Sequence, residues 1–118
     1  MGTTGLIYDP RYLEHDMGAG HPESPNRLRA IMQRLEQSGT LATLTRIDPR
    51  TAEDEWVTLV HRSEYVAMLN RQAPTHGRLS LDADTSMSPG SLGAAYLAAG
   101  GALAGVDAIM AGWVRHAF

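Results

Sequence analysis

The stretch from Leu81 to Gly112 constrains the fold of this chain more than any other segment. It begins as a polar, Asp-rich loop and continues as a long run of small and apolar residues. Ser88 and Pro89 stand between the two parts, and a serine N-cap followed by proline in the first turn is a typical helix start. We therefore predict a long helix that begins at Ser88-Pro89.

The larger residues of this helix recur at alternating spacings of four and three, which predicts one shared, buried face. They are Leu92, Tyr96, Ala99, Leu103, Val106, Met110 and Trp113. Gly100, Gly101 and Gly105 lie mid-helix, where each glycine costs about 1 kcal/mol against alanine. Close approach of another backbone would offset that cost, so we predict a central packing helix. A membrane span is the alternative, but Asp107 lies inside it and no basic cluster flanks it.

The composition limits the classes of function open to the chain. Its 118 residues are enough for one domain with a hydrophobic core. A net charge of −3 and a pI near 5.9 argue against a nucleic-acid binder, which needs a basic face. Cysteine is absent, which excludes disulfides and thiolate metal sites. The start of the sequence has no basic region followed by an apolar one, so we expect a cytoplasmic protein.

Apolar runs and capping signals predict an α/β arrangement ahead of the long helix. Strands are predicted at residues 5–8 and 44–47, because each run is closed by an Asp-Pro turn signal. Between them, Ser24-Pro25 begins a helix that ends at Ser38-Gly39. Its inner face is predicted to consist of Leu28, Ile31, Met32 and Leu35. Strand, helix, strand and then helices describe an α/β unit.

Two shorter helices are predicted between the second strand and the Asp-rich loop. Thr51 is expected to cap the first and His61 to end it, and Ser63 is expected to cap the second. Their apolar side chains are Trp56, Leu59 and Val60 in the first helix and Tyr65, Val66 and Leu69 in the second.

From residue 11 to residue 23 no periodicity is visible, which predicts a loop. This loop holds His15, Asp16, His21 and Glu23. Imidazole and carboxylate are ligands that zinc accepts when cysteine is absent, so a metal-binding module is one hypothesis. A solvated loop with capping roles is the alternative, because structural zinc needs four ligands and no compact spacing supplies them.

The order of these features resembles the histone deacetylase and acetylpolyamine amidohydrolase family, with its arginase–deacetylase fold. The matching segments are, in chain order, GLIYDPRYLEH, HPESPNRLRAI, VHRSEYV, LDADTSMSPGS and AAYLAAGGALAGVDAIMAG. They cover almost the whole chain in the family's order and spacing. The resemblance implies the helix-rich N-terminal part of a three-layer α/β fold, with two or three short parallel strands and a long Ala/Gly-rich helix.

The resemblance also implies zinc-dependent hydrolysis of an acetyl amide on a lysine-like or polyamine amine. In that family zinc polarises the carbonyl and activates water, a histidine pair handles protons, and a tyrosine supports the oxyanion. This sequence contains no paired histidine, no Asp-x-His and no glycine-rich tyrosine motif. We therefore expect residues 1–118 to be a single truncated domain, the N-terminal third of the family domain, inactive alone and without zinc of its own.

Only peripheral roles carry over from the resemblance to residues of this chain. Asp84 matches a position on the pocket rim that can accept hydrogen bonds from substrate backbone amides. Arg27 matches an arginine that lines the family's internal channel; on the helix it lies at the edge of the apolar stripe, pointing inward or along the surface. His21 and Glu23 match a loop that shapes the pocket wall.

A second hypothesis belongs to a different class of protein, a stand-alone module derived from the deacetylase fold. An α/β sheet with an open edge and an uncovered apolar face invites pairing. Trp113, Val114 and Phe118 would form this association surface. The partners expected are therefore further copies of the chain or the remainder of a deacetylase domain, and neither nucleic acid nor a membrane.

Overall fold

The structure, a computed structural model, describes residues 3–118. The α-helices in this part of the chain are Pro25–Gln37 (α1), Asp54–Val57 (α2), Ser63–Gln72 (α3) and Ser91–Met110 (α4). The 3₁₀ helices are Pro10–Glu14 (η1) and Thr40–Thr43 (η2). The strands are Thr4–Ile7 (β1), Thr45–Ile47 (β2), Leu79–Ser80 (β3), Ser86–Met87 (β4) and His116–Ala117 (β5).

A parallel sheet of order β2-β1-β5 lies at the centre of the fold. In its register Ile7 is opposite Ile47 and Gly5 is opposite Ala117. The chain crosses from β1 to β2 through α1, as parallel neighbours require. The α/β class with short parallel strands and a long helix is therefore confirmed, and the two predicted strands are each within one residue of their observed bounds.

A small antiparallel hairpin, β3–β4, was not predicted. Its strands are only two residues long, which is too short for a period-of-two pattern to be seen. The Asp-rich segment is the turn of this hairpin, where Leu81 N–H donates to the Thr85 carbonyl oxygen at 2.7 Å. The predicted Asp-rich loop is therefore closed by a backbone hydrogen bond between its two ends.

Helix α1 is predicted almost correctly. Ser24 caps it, because its hydroxyl oxygen accepts the Asn26 N–H at 3.2 Å, and Gly39 follows it with a φ of 77°. On the predicted inner face Leu28, Met32 and Leu35 are partly buried. Ile31 is 49% exposed, so its inward placement was wrong.

Gly100, Gly101 and Gly105 of α4 lie where neighbouring groups leave no room for a side chain. A Cβ on Gly100 would overlap the carbonyl group of Arg50. A Cβ on Gly101 would lie 2.6 Å from the Tyr12 hydroxyl oxygen, and one on Gly105 would lie 3.0 Å from Cδ1 of Ile7. Helix α4 thus packs closely on β1 and on the segment after β2, which confirms that the glycines mark close approach.

The predicted buried face of α4 was wrong. The buried residues are Ser91, Ala94, Leu97, Gly100, Gly101, Gly105 and Ala108, whereas Met110 is 81% and Trp113 72% exposed. Val106 is exposed as well, and Leu92, Tyr96, Ala99 and Leu103 line an open groove towards α2 and α3. The sheet approaches so closely that only the small-residue side of the helix fits against it.

Several predicted helix starts were also displaced. Helix α4 begins at Ser91 with Gly90 as its N-cap, because the Ser88 hydroxyl is bound to another segment. Helix α2 has Glu53 rather than Thr51 as its N-cap and ends at Val57, before the predicted His61. Ser63 is the first residue of α3 and not its cap. The first four residues of the predicted loop, 11–14, instead form η1 together with Pro10, and Asp9 caps this helix.

The apolar core lies between α4 and the sheet. It is built from buried Ile47, Ala108 and Val114, with Ile7, Ala104 and Ala117 packed against them. Val114 is only 4% exposed, so its assignment to the association surface was wrong. Its predicted neighbours there, Trp113 and Phe118, are 72% and 57% exposed.

Helix α4 is, within residues 3–118, the one helix long and apolar enough to cross a membrane by length and composition. A core helix of a soluble protein meets the same criterion, so this is weak evidence for a span. In the structure its glycine side is occupied by the sheet and by Tyr12.

The glycine contacts predict a sharp difference between two substitutions in α4. Gly100→Ala should destabilise the fold by about 1–3 kcal/mol, because the new methyl group meets a backbone carbonyl that cannot rotate away. Gly93→Ala is the matched control, since a Cβ there meets nothing within 4 Å and should gain up to about 1 kcal/mol of helix propensity. Urea denaturation measures both, and equal midpoints for the two variants would contradict the packing described.

Candidate functional site

Two loops meet near the N-terminal end of α4, and most of the predicted site residues lie on them. The first loop is residues 15–24, between η1 and α1, and the hairpin loop is residues 81–85, between β3 and β4. The turn at residues 88–90 leads from β4 into α4. Hydrogen bonds between these segments fix the geometry of the site.

Ser88 joins the turn before α4 to the first loop. Its hydroxyl donates to the Glu14 carbonyl oxygen at 2.8 Å and accepts the Asp16 N–H at 3.1 Å. Ser88 is buried, with 7% of its surface exposed. Because both backbone groups depend on this one hydroxyl, Ser88 holds the end of η1 against the start of α4.

Ser91 and His15 form a second buried connection beside it. The Nδ1 atom of His15 lies 2.6 Å from Oγ of Ser91, and that oxygen also accepts the Ser88 N–H at 2.8 Å. The two serine oxygens are 3.0 Å apart. His15 thus has a structural hydrogen-bond partner and does not face His21.

The outer parts of the two loops are joined by His21 and Asp84. The Nε2 atom of His21 lies 3.0 Å from Oδ1 of Asp84, and its Nδ1 accepts the Glu23 N–H at 2.9 Å. Asp84 itself is held in the hairpin turn, where its N–H donates to Oδ1 of Asp82 at 2.8 Å. The Asp84 side chain remains 90% exposed.

Arg27 lies on the outer surface in this structure. Its side chain is 61% exposed, and its Nη1 donates to Oε2 of Glu23 at 2.9 Å. The pair spans one turn from the first loop into α1. Three of the predicted residues, His21, Glu23 and Asp84, are therefore brought together, and Arg27 adjoins them through Glu23.

An open cleft of about 1020 Å³, with both polar and apolar lining residues, lies between η1, the first loop and the turn before α4. Its lining residues are Leu13, Glu14, Asp16, Gly77, Arg78, Ser88, Pro89 and Gly90. The Arg78 guanidinium packs against Gly18, whose φ of 104° belongs to the left-handed region that favours glycine. The sequence analysis did not single out Arg78 or Ser91, and it assigned Ser88 only as a helix cap, although the SPGS motif contains both serines.

The residues present do not form a metal site. Within residues 3–118 no group of three or more His, Cys, Asp or Glu side chains is placed to hold a metal ion. His15 faces Ser91 and His21 faces Asp84, so the two imidazoles of the loop do not converge. The described part of the chain therefore does not fit the zinc that the resemblance implies.

Electrostatics stabilise the element that leads into the first loop. Hydrogen bonds from the Arg11 side chain and then from the Arg11 N–H lower the pKa of the Asp9 carboxyl to about 2. The stabilisation is complete above the ordinary value of 3.8 and is lost as the pH falls towards 2. Burial raises the pKa of Tyr12, whose hydroxyl donates to the Leu97 carbonyl oxygen at 3.3 Å. Both contacts hold η1 near neutral pH.

Beyond these loops, a second set of polar contacts ties the short helices to α4. The Tyr96 hydroxyl donates to Oδ1 of Asp54 at 2.6 Å, which raises the pKa of Tyr96. Asn70 donates to the same hydroxyl oxygen at 3.2 Å. Tyr96 also lines an apolar groove of about 430 Å³ between α4 and the α2–α3 segment.

Comparison with known proteins identifies the family. The model of the histone deacetylase domain matches residues 21–118, most of the chain. The chain belongs to the histone deacetylase family. The resemblance predicted from the motifs is therefore confirmed.

Individual relatives agree with this assignment. A probable deacetylase from Archaeoglobus fulgidus is 32% identical over 117 residues, covering 98% of this chain and 32% of that protein. A histone deacetylase-like amidohydrolase from Pseudomonas aeruginosa is 34% identical over 107 residues, covering 91% of this chain and 28% of that protein. The crystal structure of the HDA15 HD domain matches with a TM-score of 0.89 at 30% identity, covering 100% of this chain and 35% of that chain. The chain thus spans about a third of the length of these relatives.

The Ser88 contacts predict that one hydroxyl group stabilises the packing of η1 against the start of α4. Ser88→Ala should lower the free energy of unfolding by about 1–3 kcal/mol, because it leaves the Glu14 carbonyl and the Asp16 N–H without their partner. Ser80→Ala, at an exposed serine of β3, is the control and should change it by less than about 0.5 kcal/mol. Urea unfolding gives both values, and faster hydrogen exchange at the Asp16 amide should accompany the first alone.

Proposed function

We propose that this chain supplies the N-terminal part of a zinc-dependent deacetylase of the acetyl-lysine or acetylpolyamine class, and that it has no hydrolytic activity alone. The observation that carries the proposal is the family match over residues 21–118 in a sequence without a histidine pair, an Asp-x-His or a glycine-rich tyrosine motif. Relatives whose names state deacetylase or amidohydrolase activity support the reaction class. The zinc would be held by residues that this sequence does not contain.

The reaction requires more than the groups that this chain offers. Amide hydrolysis of this kind uses a metal-activated water and a base within hydrogen-bond reach of it. Within the described residues, the histidines nearest the candidate site already have other partners, Ser91 for His15 and both Glu23 and Asp84 for His21. The occupied histidines favour a role for this chain in substrate binding and not in bond cleavage.

The exposed loops suit a role at the entrance of a substrate pocket. We assign Asp84 to the rim, where its carboxylate accepts hydrogen bonds from substrate N–H groups, and His21 and Glu23 to the adjoining wall. Arg27 is assigned to the channel that the resemblance implies, where it would exchange its exposed pairing with Glu23 for partners outside this chain. These roles follow from the motif positions, and the contact between His21 and Asp84 supports the first two.

A second candidate function is self-association of the chain as a stand-alone module. The observation that favours it is the exposure of two aromatic side chains, Trp113 and Phe118, in the segment that carries the outer strand β5. Exposed apolar side chains and an open sheet edge are both features that favour protein binding. The partner would be a second copy of the chain or the remainder of a deacetylase domain.

An activity assay tests the first proposal. The purified 118-residue chain, incubated with zinc and either an acetyl-lysine peptide or an acetylated polyamine, should release no acetate above the buffer blank. The Pseudomonas aeruginosa amidohydrolase provides the positive control for the assay. Turnover that rises with the concentration of the chain and is removed by a chelator would refute the proposed inactivity.

Light scattering at several concentrations tests the second candidate. If the module function is correct, the chain forms a discrete oligomer, and Trp113→Ser combined with Phe118→Ser reduces it to the monomer mass, because polar side chains remove the buried apolar area. Leu59→Ser is the matched control, since Leu59 is 75% exposed and lies on the α2–α3 side. An oligomer that survives the double substitution counts against this surface.

A further inference from the structure

Both ring nitrogens of His21 have hydrogen-bond partners, on two different segments. Nδ1 accepts the Glu23 N–H at 2.9 Å within the first loop, and Nε2 lies 3.0 Å from Oδ1 of Asp84 in the hairpin loop. The His21 side chain is 23% exposed, whereas that of Asp84 is 90% exposed. The imidazole thus lies between the loops, and the carboxylate projects from them.

The first of these contacts decides where the neutral imidazole carries its proton. A nitrogen that accepts a backbone N–H has its lone pair engaged and cannot carry a hydrogen itself. Neutral His21 must then be protonated at Nε2, which faces Asp84. His21 is therefore a donor to the Asp84 carboxylate without needing a positive charge.

The surroundings keep this arrangement in place. Glu23 donates its N–H to His21, and its side chain is bound to α1, because Nη1 of Arg27 donates to Oε2 of Glu23 at 2.9 Å. On the other side, the Asp84 N–H is bound to Asp82 within the closed hairpin turn. In the described part of the chain His21 is the only hydrogen-bond partner of the Asp84 carboxylate. His21 thus holds one carboxylate oxygen of a side chain that is 90% exposed.

We propose that His21 is a positioning residue that orients the Asp84 carboxylate as an acceptor for N–H groups of an incoming amide or amine. This inference rests on the proposed function, in which Asp84 lies at the pocket rim. Without His21 an aspartate that is 90% exposed would rotate freely, and a ligand would have to order it on binding. The geometry assigns substrate selection at the rim to the pair and not to Asp84 alone.

Nitrogen NMR of the 118-residue chain tests the arrangement directly. At about pH 8, where an ordinary imidazole is neutral, His21 should show an unprotonated Nδ1 and a protonated Nε2. The Nε2 proton should exchange slowly with water in the unaltered chain and in Asp84→Asn, which keeps an acceptor oxygen, whereas in Asp84→Ala it should stay on Nε2 but exchange so fast that its signal disappears. His61 provides an internal reference, because its ring has no hydrogen bond in the described residues. A His21 spectrum with averaged nitrogens, like that expected for His61, would overturn the inference.

A chimera tests the consequence for substrate. This chain replaces the matching third of the Archaeoglobus fulgidus relative, and kinetics are measured with an acetyl-lysine peptide. Asp84→Ala should raise KM about tenfold with kcat little changed, the effect of losing one hydrogen bond. His21→Ala should raise KM by a smaller factor and add nothing in the double variant, because it acts through Asp84. Additive effects of the two substitutions on KM would overturn the positioning role. An inactive chimera would count against the proposed function. In that case the NMR result would still decide the inference about His21.

Discussion

The close packing of the glycine side of α4 on β1 and on the backbone of Arg50 is the contact on which the rest of the structure depends. It sets the distance between helix and sheet, and the small core of Ile47, Ala108 and Val114 fills what space remains. It also fixes where the N-terminal end of α4 lies. The two loops of the candidate site are assembled around that end through Ser88 and Ser91. A packing constraint in the core thus determines the geometry of the polar site.

Sequence reasoning predicted the features that local interactions decide. Ser24 and Gly39 bound α1 because capping depends on neighbours in the chain, and the strands near residues 4–7 and 45–47 follow from apolar runs closed by Asp-Pro. The orientation of α4 could not be predicted from periodicity. Large residues define the apolar stripe, whereas the close approach of the sheet selects the small ones for burial. Likewise, Ser88 was predicted as the N-cap of α4, but its hydroxyl donates to the carbonyl oxygen of Glu14, which is distant in the sequence.

In the candidate site, too, local motifs were predictable from the sequence and contacts between distant segments were not. The motif resemblance singled out His21, Glu23 and Asp84, and the structure connects these three residues, Glu23 through its backbone N–H. The motif resemblance did not reveal the hydrogen bond between His21 and Asp84, because the two residues lie far apart in the chain. Nor did it single out Ser91, His15's partner, since no local pattern distinguishes a bridging serine from a solvated one. Family membership supports the reaction class that we propose, and the contacts show how the Asp84 side chain is held.

The order β2-β1-β5 also has a consequence for synthesis of the protein on the ribosome. Strand β1 is made before β2 and β5 and lies between them in the sheet, but β5, its neighbour on one side, is at residues 116–117. During translation β1 can pair with β2 long before β5 exists, and its second edge stays open until then. Pairing over so large a sequence separation is slow, and open strand edges are prone to aggregate. Nascent chains of this protein should therefore depend on chaperones until α4 and β5 have emerged.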